Sequence, residues 1–330
     1  MPAVDIAVVC VTHRSSDLLP AYAAALRPAL QACGARLVIV DVASPDNTLQ
    51  CAHDLLPEAD VLMLPENRGF AAGVNAGIAH VRQSGGASAY TIVNPDIRLE
   101  PDTLRRLFEA LVDTGAWLCV PRLSDTNGRL QLSLRRAPSL AATFAEAFLG
   151  GPRAARLGLP TEVIRDLDLY AHDHDDAVWA TGGMLMLSER CVRTVGPLDE
   201  TFFMYDEEVD LCTRVARCGG SLHFCAAAQA FRLVDGTREA PWREALMKTN
   251  RVRLLGRRGG GAKALVRLGL VAWGLLRATA GRPDGRAVVW ALARMATPAQ
   301  IMRRYSHGAQ PVVAALGAAP TIAELVWSGS

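Results

Sequence analysis

Three absences narrow the chemistry of this chain before any motif is read. Its eight cysteines (10, 33, 51, 119, 191, 212, 218 and 225) form no C-x-x-C pair and no His/Cys cluster at zinc-ligand spacing, which argues against zinc-ribbon and dithiol redox centres. Several lie inside apolar runs such as Ala7–Val11, so they read as reduced, buried thiols of a cytoplasmic protein. No apolar stretch reaches the ~18–20 residues of a membrane span. The opening MPAVDIAVVCVTHR has neither a basic start nor a cleavage site, so no signal peptide is expected. The third absence is glycine. A nicotinamide-binding Rossmann fold needs a glycine-rich turn after its first strand so that a pyrophosphate can approach the backbone. Here that turn reads THRSSDLL, which disfavours oxidoreductase chemistry of that kind.

What is present describes a folded body with a basic tail. The 330 residues are 50% hydrophobic and 21% charged, enough to bury a large core and too apolar for disorder. The net charge of +2 hides an asymmetry. From Ala240 onward there are 14 Lys and Arg against 3 acids, which leaves 21 basic and 30 acidic residues before it. An acidic body carrying a basic tail points to an anionic partner for the tail.

Along the first third, short β-branched runs alternate with helical patterns. Ile6–Thr12, Leu37–Val40, Val61–Leu64 and Tyr90–Val93 read as strands. Leu18–Cys33, closed by Gly34, reads as a helix, as do Thr48–Leu56, Ala71–Gln83 and Pro101–Thr114. This alternation predicts a parallel α/β sheet with ligands beyond the carboxyl ends of its strands. His13, Asp41 and Asn94-Pro95-Asp96 wait there. Arg122–Arg136 reads as loop and hairpin, Leu140–Leu149 as helix, His172–Asp176 as a polar loop and Ala180–Leu187 as a resumed apolar segment. Beyond Thr237 the chain is basic and helical, with GRRGGG (256–261) as a flexible joint.

Each local signal has two readings. Asp41 can accept hydrogen bonds from a base or ribose, or simply start the turn DVASPDN. In PENRGFAAGVNAGI, Gly69, Gly73 and Gly77 open a helix either to a ligand or to close packing. Asp96, after the strand-ending Pro95, is placed to share a divalent cation with substrate phosphates, or else forms a turn. In ETFFMYDEEVDLCTR, Asp206, Glu207, Glu208 and Asp210 crowd together behind an aromatic run. Acids in a first helical turn are favoured by the helix dipole, worth ~0.3–1 kcal/mol each, yet such crowding also raises carboxylate pKa values and so makes a stronger base. A helix starting near Asp206 would put Glu207, Asp210 and Arg214 on one face and turn Glu208 elsewhere.

The order of the motifs is more specific than any one of them. VCVTHRSSDLL, IVDVASPDNT, PENRGFAAGVNAGI, IVNPDIRLEPD and ATGGMLMLSERCVRTVGPLDETFFMYDEEVDLCTRVARCGG follow one another across residues 8–220. The set resembles family 2 glycosyltransferases of GT-A fold, in particular their rhamnosyltransferase-like branch. The resemblance implies a Rossmann-like, mostly parallel sheet flanked by helices over 1–237, with a nucleotide-sugar half to about 120 and an acceptor half beyond it. A basic helical extension follows over 238–330. The implied reaction is inverting transfer of a sugar, rhamnose being one candidate, from a dTDP- or UDP-sugar to an acceptor hydroxyl, assisted by Mg2+ or Mn2+.

The resemblance also implies roles. Asp41 would read the base and Asp46 lie near the nucleoside, while Asn67, Gly69 and Asn75 line the donor site. Asn94 and Asp96 hold the family's metal-binding position, with Asp96 on the metal, and Gly182 and Gly183 form the floor. The family pattern FF-x-Y-x-E-D-x-D-L becomes FFMYDEEVDL here, so Glu207 and Asp210 match and Glu208 stands in place of the usual Asp base. Two further departures are Arg232, where a His is common, and Thr12-His13-Arg14 in the first-strand turn. Arg232 would stabilise the diphosphate directly, His13 would stack on the base and Arg14 would contact phosphate. Each reads equally well as a drifted surface residue.

Trp242–Arg258 and Lys263–Arg277 interleave basic and apolar residues, as in helices on an anionic membrane or as in a cap on the domain. No aromatic-basic platform supports nucleic acid as a partner. The acceptor is then a glycan, a lipid-linked glycan at the inner face of the membrane, or a soluble small molecule. A catalytically decayed protein that binds sugar nucleotides without turnover is the non-enzymatic alternative.

Overall fold

The computed structural model describes residues 5–181, 183–233 and 240–305. The first strand shows why the sheet lies inside. All seven residues of β1 (Ile6–Thr12) are buried, and alternate side chains enter opposite layers. Ala7, Val9 and Val11 join one hydrophobic cluster, while Ile6, Val8 and Cys10 join the other. Around it run α1 (Leu19–Cys33), β2 (Arg36–Val42), α2 (Thr48–Leu55), β3 (Asp60–Leu64), α3 (Phe70–Gln83) and β4 (Ala89–Val93), in the predicted alternation. Gly34 closes α1 in the left-handed conformation, φ 66°, as the sequence anticipates.

Next come β5 (Ile97–Leu99), α4 (Thr103–Thr114), β6 (Leu118–Asp125), β7 (Leu134–Arg135), α5 (Leu140–Leu149), α6 (Gly151–Arg156), β8 (Trp179–Ala180), β9 (Met184–Ser188) and α7 (Glu189–Val195). The remainder is α8 (Glu207–Arg217), β10 (Leu222–Arg232), α9 (Pro241–Gly256), α10 (Gly260–Thr279), α11 (Pro283–Arg294) and α12 (Pro298–Tyr305). Eight strands form one sheet in the order β3-β2-β1-β4-β9-β6-β10-β5, and β7 pairs with β8 in a small second sheet. β9 runs antiparallel to both β4 and β6, and β5 antiparallel to β10; the other pairings are parallel. Thr12, Val42, Val93 and Asp125 therefore end strands on one edge, where β9 begins at Met184 opposite Val93.

Helix α4 shows the amphipathic logic of the flanking layers. Leu104, Leu107, Phe108 and Leu111, at helical spacing, are buried against the sheet. Each such side chain contributes about 1.5–3 kcal/mol by burial. Glycines do comparable work in α3. A Cβ at Gly73 would lie 2.6 Å from a Val11 methyl, and one at Gly77 would lie 2.4 Å from a Val9 methyl. Of the two readings open for these glycines, close packing on the sheet is the one realised.

Three expectations need correction. Arg122–Asp125 continues the sheet strand β6, and the hairpin tip is confined to the turn in which Asp125 N–H donates to Arg129 O at 2.8 Å. Leu123 is buried between polar neighbours that hide the strand pattern. GRRGGG begins as a hydrogen-bonded turn, with the Arg257, Arg258 and Gly259 amides each donating three residues back. Among the cysteines, Cys10, Cys119, Cys191, Cys212 and Cys225 are buried, Cys33 and Cys51 partly so, and Cys218 is exposed. The expected domain boundary at 237 lies outside the described residues.

Candidate active site

The carboxyl edge of β4 supplies the first part of the site. Beyond Val93, the Asn94 amide donates to Gly183 O at 2.7 Å. Gly183 has φ 76°, and a Cβ there would come within 2.4 Å of the Asn94 side-chain nitrogen, so only glycine fits. Asp96 accepts from Arg232 Nε at 2.9 Å through Oδ2. Its Oδ1 and the Oδ1 of Asn94 are buried and have no partner. Gly182, expected beside Gly183, lies outside the described residues.

The acid cluster supplies the second part. Phe203, Tyr205 and Asp206 have φ of 67°, 70° and 66°, left-handed conformations that cost about 1–3 kcal/mol apiece for non-glycine residues. This contorted stretch delivers Asp206 as the cap residue of α8, whose first turn carries Glu207, Glu208 and Asp210. As the spacing predicts, Asp210 pairs with Arg214 at 2.8 Å, and it also pairs with Arg257. Asp210 is 3% exposed and its charge is met from within the protein. Glu207 and Glu208 differ from it. Each keeps one buried carboxylate oxygen, Oε2, without a partner. Burial, reinforced by the Asp206 charge, pushes Glu208 up to about 7. Burial and the neighbouring Glu208 raise Glu207 well above the usual carboxylate range.

Both parts face one cavity of about 970 Å³. Asn94, Asp96, Gly183 and Arg232 line it together with Glu207 and Glu208, while α5 and α9 add Glu146, Met247 and Lys248. Asp210 is not among the lining residues. The orphaned oxygens of Asp96 and Asn94 are hard donors of the kind a divalent cation takes, and a cation held by one carboxylate normally completes its shell with phosphate and water. Among the described residues no group of three or more His, Cys, Asp or Glu could hold an ion alone. The donor set therefore fits a cation shared with a diphosphate and does not fit a closed protein cage.

The remaining predicted residues divide into two groups. At the ends of β1 and β2, Asp41 is 1% exposed and accepts from Thr12 Oγ1 at 3.1 Å, from Ser44 N at 2.8 Å and from Ser44 Oγ. His13 Nδ1 lies 3.0 Å from Val42 O, and burial lowers its pKa. The Arg14 amide donates to Ser44 Oγ at 3.0 Å, and Asp46 accepts from the hydroxyls of Thr48 and Ser16. None of these residues lines the cavity. The second group braces the acid loop from α3. Asn67 accepts from Gly69 N at 3.0 Å, and a Cβ on Gly69 (φ 93°) would sit 2.3 Å from Phe203 O. Asn75, 2% exposed, exchanges 2.9 Å hydrogen bonds with the Leu198 backbone and donates to Glu200.

Sequence reasoning missed the contribution of α9. Asn250 is fully buried, and Arg251 pairs with Asp206 and Glu162. Of the two readings open for this segment, the helical cap is the one α9 realises, because Ala245, Leu246, Val252 and Leu255 are buried in a shared helical core. The available signal was polar Thr249 and Asn250 at positions of the buried face. Helix α10 does keep an open apolar row, with Leu265, Leu268, Leu275 and Leu276 between 51% and 68% exposed.

The mostly parallel sheet with two inverted strands, β9 and β5, and the helices that flank it form a GT-A fold, with a lone carboxylate at the end of β4 and an acidic helix lining the same cavity. Residues 7–158 match the family described as glycosyl transferase family 2. The low-salt glycan biosynthesis hexosyltransferase Agl10 of Haloferax volcanii is 27% identical over 208 residues, covering 62% of this chain and 61% of its own length. The N-acetylglucosaminyl-diphospho-decaprenol L-rhamnosyltransferase of Mycobacterium tuberculosis is 27% identical over 222 residues, covering 64% of this chain and 70% of its own length. Among solved structures, the mannosyltransferase PcManGT of Pyrobaculum calidifontis, in complex with GDP-Man and Mn2+, superposes with a TM-score of 0.55 at 14% identity, covering 90% of this chain and 77% of that one. GalNAc-T7 with UDP, GalNAc and Mn2+ gives 0.53 at 11% identity, covering 72% of this chain and 45% of that one. These structures share the fold.

Proposed function

We propose that the protein is an inverting glycosyltransferase that uses Glu208 as its base and binds a nucleoside diphosphate sugar at Asp96 with a divalent cation. The observation that carries this reading is the pair of unpartnered carboxylate oxygens, on Asp96 and Glu208, facing one cavity. The acceptor hydroxyl gives its proton to Glu208 while its oxygen bonds to the anomeric carbon. The bond from that carbon to the diphosphate breaks on the opposite face, and the diphosphate leaves with the electron pair. Asp96 and Asn94 would hold Mg2+ or Mn2+, which neutralises charge on the leaving group when bound. Arg232 keeps the free Asp96 charge compensated and supplies a second cation to the diphosphate. The Asp206 charge beside Glu208 favours proton uptake there, Glu207 lines the same cavity next to it, and Asp210 fixes the helix that carries both.

The donor is a dTDP- or UDP-sugar, with rhamnose as the first candidate because of the mycobacterial relative. Its base and ribose would meet Thr12, His13, Arg14, Asp41 and Asp46 once local hydrogen bonds rearrange. A lipid-linked glycan is the acceptor we favour, with α10 against the inner leaflet. Its exposed leucines and the basic tail support that placement over a free small molecule. The catalytic unit would then reach past residue 237 to include α9.

A thermal-shift panel of nucleoside diphosphate sugars with Mn2+ tests the donor, because ligand binding stabilises the native state. Release of diphosphate by the wild type and by Glu208→Gln tests the chemistry. Metal-dependent turnover that drops at least ~100-fold in the variant is expected. Equal rates would remove Glu208 from the mechanism, and donor binding without wild-type turnover would support a binding protein.

A further inference from the structure

The loop ahead of the proposed base holds a conformation that its residue types resist, so something must hold it. Phe203, Tyr205 and Asp206 are all left-handed without being glycine. The restraint comes from α9, which starts at Pro241, well beyond the end of the family match at 158. The Asn250 side-chain amide, fully buried, donates to Phe202 O at 2.9 Å, Met204 O at 2.8 Å and Tyr205 O at 2.9 Å. Its neighbour Arg251 grips both oxygens of Asp206, at 3.2 Å through Nε and 3.0 Å through Nη2. A third bond, to Glu162, ties the same guanidinium to another residue that lines the cavity. From the other side, the Phe70 amide donates to Phe203 O at 2.7 Å.

We infer that Asn250 and Arg251 are positioning residues that fix the Phe202–Asp206 loop, and through it set the direction in which Glu208 leaves the first turn of α8. The inference rests on Glu208 being the base. Neither residue needs to touch the reacting atoms. Three backbone carbonyls and the Asp206 carboxylate are held by two side chains, and Glu208 lies two residues beyond Asp206. A base displaced by about 1 Å loses on the order of a hundredfold in rate while the donor contacts at Asp96 stay in place. Arg is required at 251 for geometric reasons as well as charge, because only its planar fork can engage two Asp206 oxygens and Glu162 at once.

Asn250→Ala, Arg251→Lys and Glu208→Gln are compared with the wild type in two measurements. The first is turnover of dTDP-rhamnose and UDP-glucose, each with Mn2+, separated into kcat and donor KM. The second is amide hydrogen exchange of the ligand-free protein. The first two variants are expected to lose about 10- to 100-fold in kcat, with donor KM within about threefold. Faster exchange should be confined to peptides covering 202–210. Lysine at 251, which restores charge but not the fork, should fail to restore kcat. The positioning role is overturned if Arg251→Lys turns over like the wild type, or if exchange in 202–210 is unchanged in both variants. Should Asn250→Ala not fold, Arg251→Lys decides alone, and the exchange measurement decides even if neither sugar nucleotide is turned over. Full activity in Glu208→Gln would instead retire the base assignment and leave the exchange result standing as a statement about the loop.

Discussion

Arg232 Nε lies 2.9 Å from Asp96 Oδ2, so the residue proposed to hold the cation is already half-neutralised by an arginine. A guanidinium and a divalent ion on one carboxylate repel each other. Arg232→Ala should therefore lower the Mn2+ concentration that gives half-maximal activity, by about threefold or more, while kcat falls about tenfold as the diphosphate loses its second positive partner. A titration of Mn2+ against initial rate measures both. A higher Mn2+ requirement in the variant would show that the arginine helps to build the ion site.

The raised Glu208 pKa gives the proposed reaction a pH dependence. A base must be unprotonated, so kcat/KM should climb with pH through about 7 and then level off. In Glu208→Asp, with the carboxyl group drawn back by one methylene, the rate should fall throughout, and the limb should move if Glu208 is the group being titrated. A pH–rate profile of the two proteins checks this.

The same shift predicts a cost in stability. Glu208 takes up its proton more readily in the folded protein than the usual carboxylate value of 4.5 allows in the unfolded chain. Its contribution to stability is complete below that value and is lost as pH rises through about 7. Glu208→Gln, which cannot ionise, should be more stable than the wild type at pH 8, by on the order of 1–3 kcal/mol, and near parity at pH 4.5. Urea denaturation at the two pH values provides the comparison.

Gly69 offers a test that alters no ionisable group. Alanine there would need φ 93° and would drive its methyl into Phe203 O. Gly69→Ala should cost about 2 kcal/mol or more of stability and at least ~10-fold in turnover, because the displaced carbonyl belongs to the loop ahead of Glu208. Thermal denaturation alongside a rate assay would register the two losses.

The exposed row on α10 predicts binding to vesicles. Flotation with phosphatidylcholine vesicles containing phosphatidylglycerol should carry the wild type, and Leu268→Glu/Leu276→Glu should abolish it. Equal recovery with purely zwitterionic vesicles would discount the basic tail as the attractor.

The parts of this molecule legible in its sequence are those written in short-range pattern. The seven buried residues of β1 form one apolar run, and the α3 glycines sit at helical spacing, so strand and helix could be read directly. Strand β6 was partly hidden because Arg122 and Ser124 flank the buried Leu123 while pairing with β10. Asp96 and Glu208 came from the order of motifs, which chain-local physics alone would have left ambiguous. What stayed unreadable was long-range. The grip of Asn250 on Tyr205 spans 45 positions, and no periodicity marks it. Nor does a strand-end Asp reveal that its oxygens are engaged by Thr12 and Ser44, as those of Asp41 are.

The Asn250 amide also bears on how this protein tolerates being shortened. The change of charge near residue 240 looks like a natural place to cut, and the eight-stranded sheet lies wholly before it. Yet such a truncation would remove the donor on which three carbonyls of the loop, those of Phe202, Met204 and Tyr205, depend. The trimmed polypeptide would keep its architecture and surrender its aim.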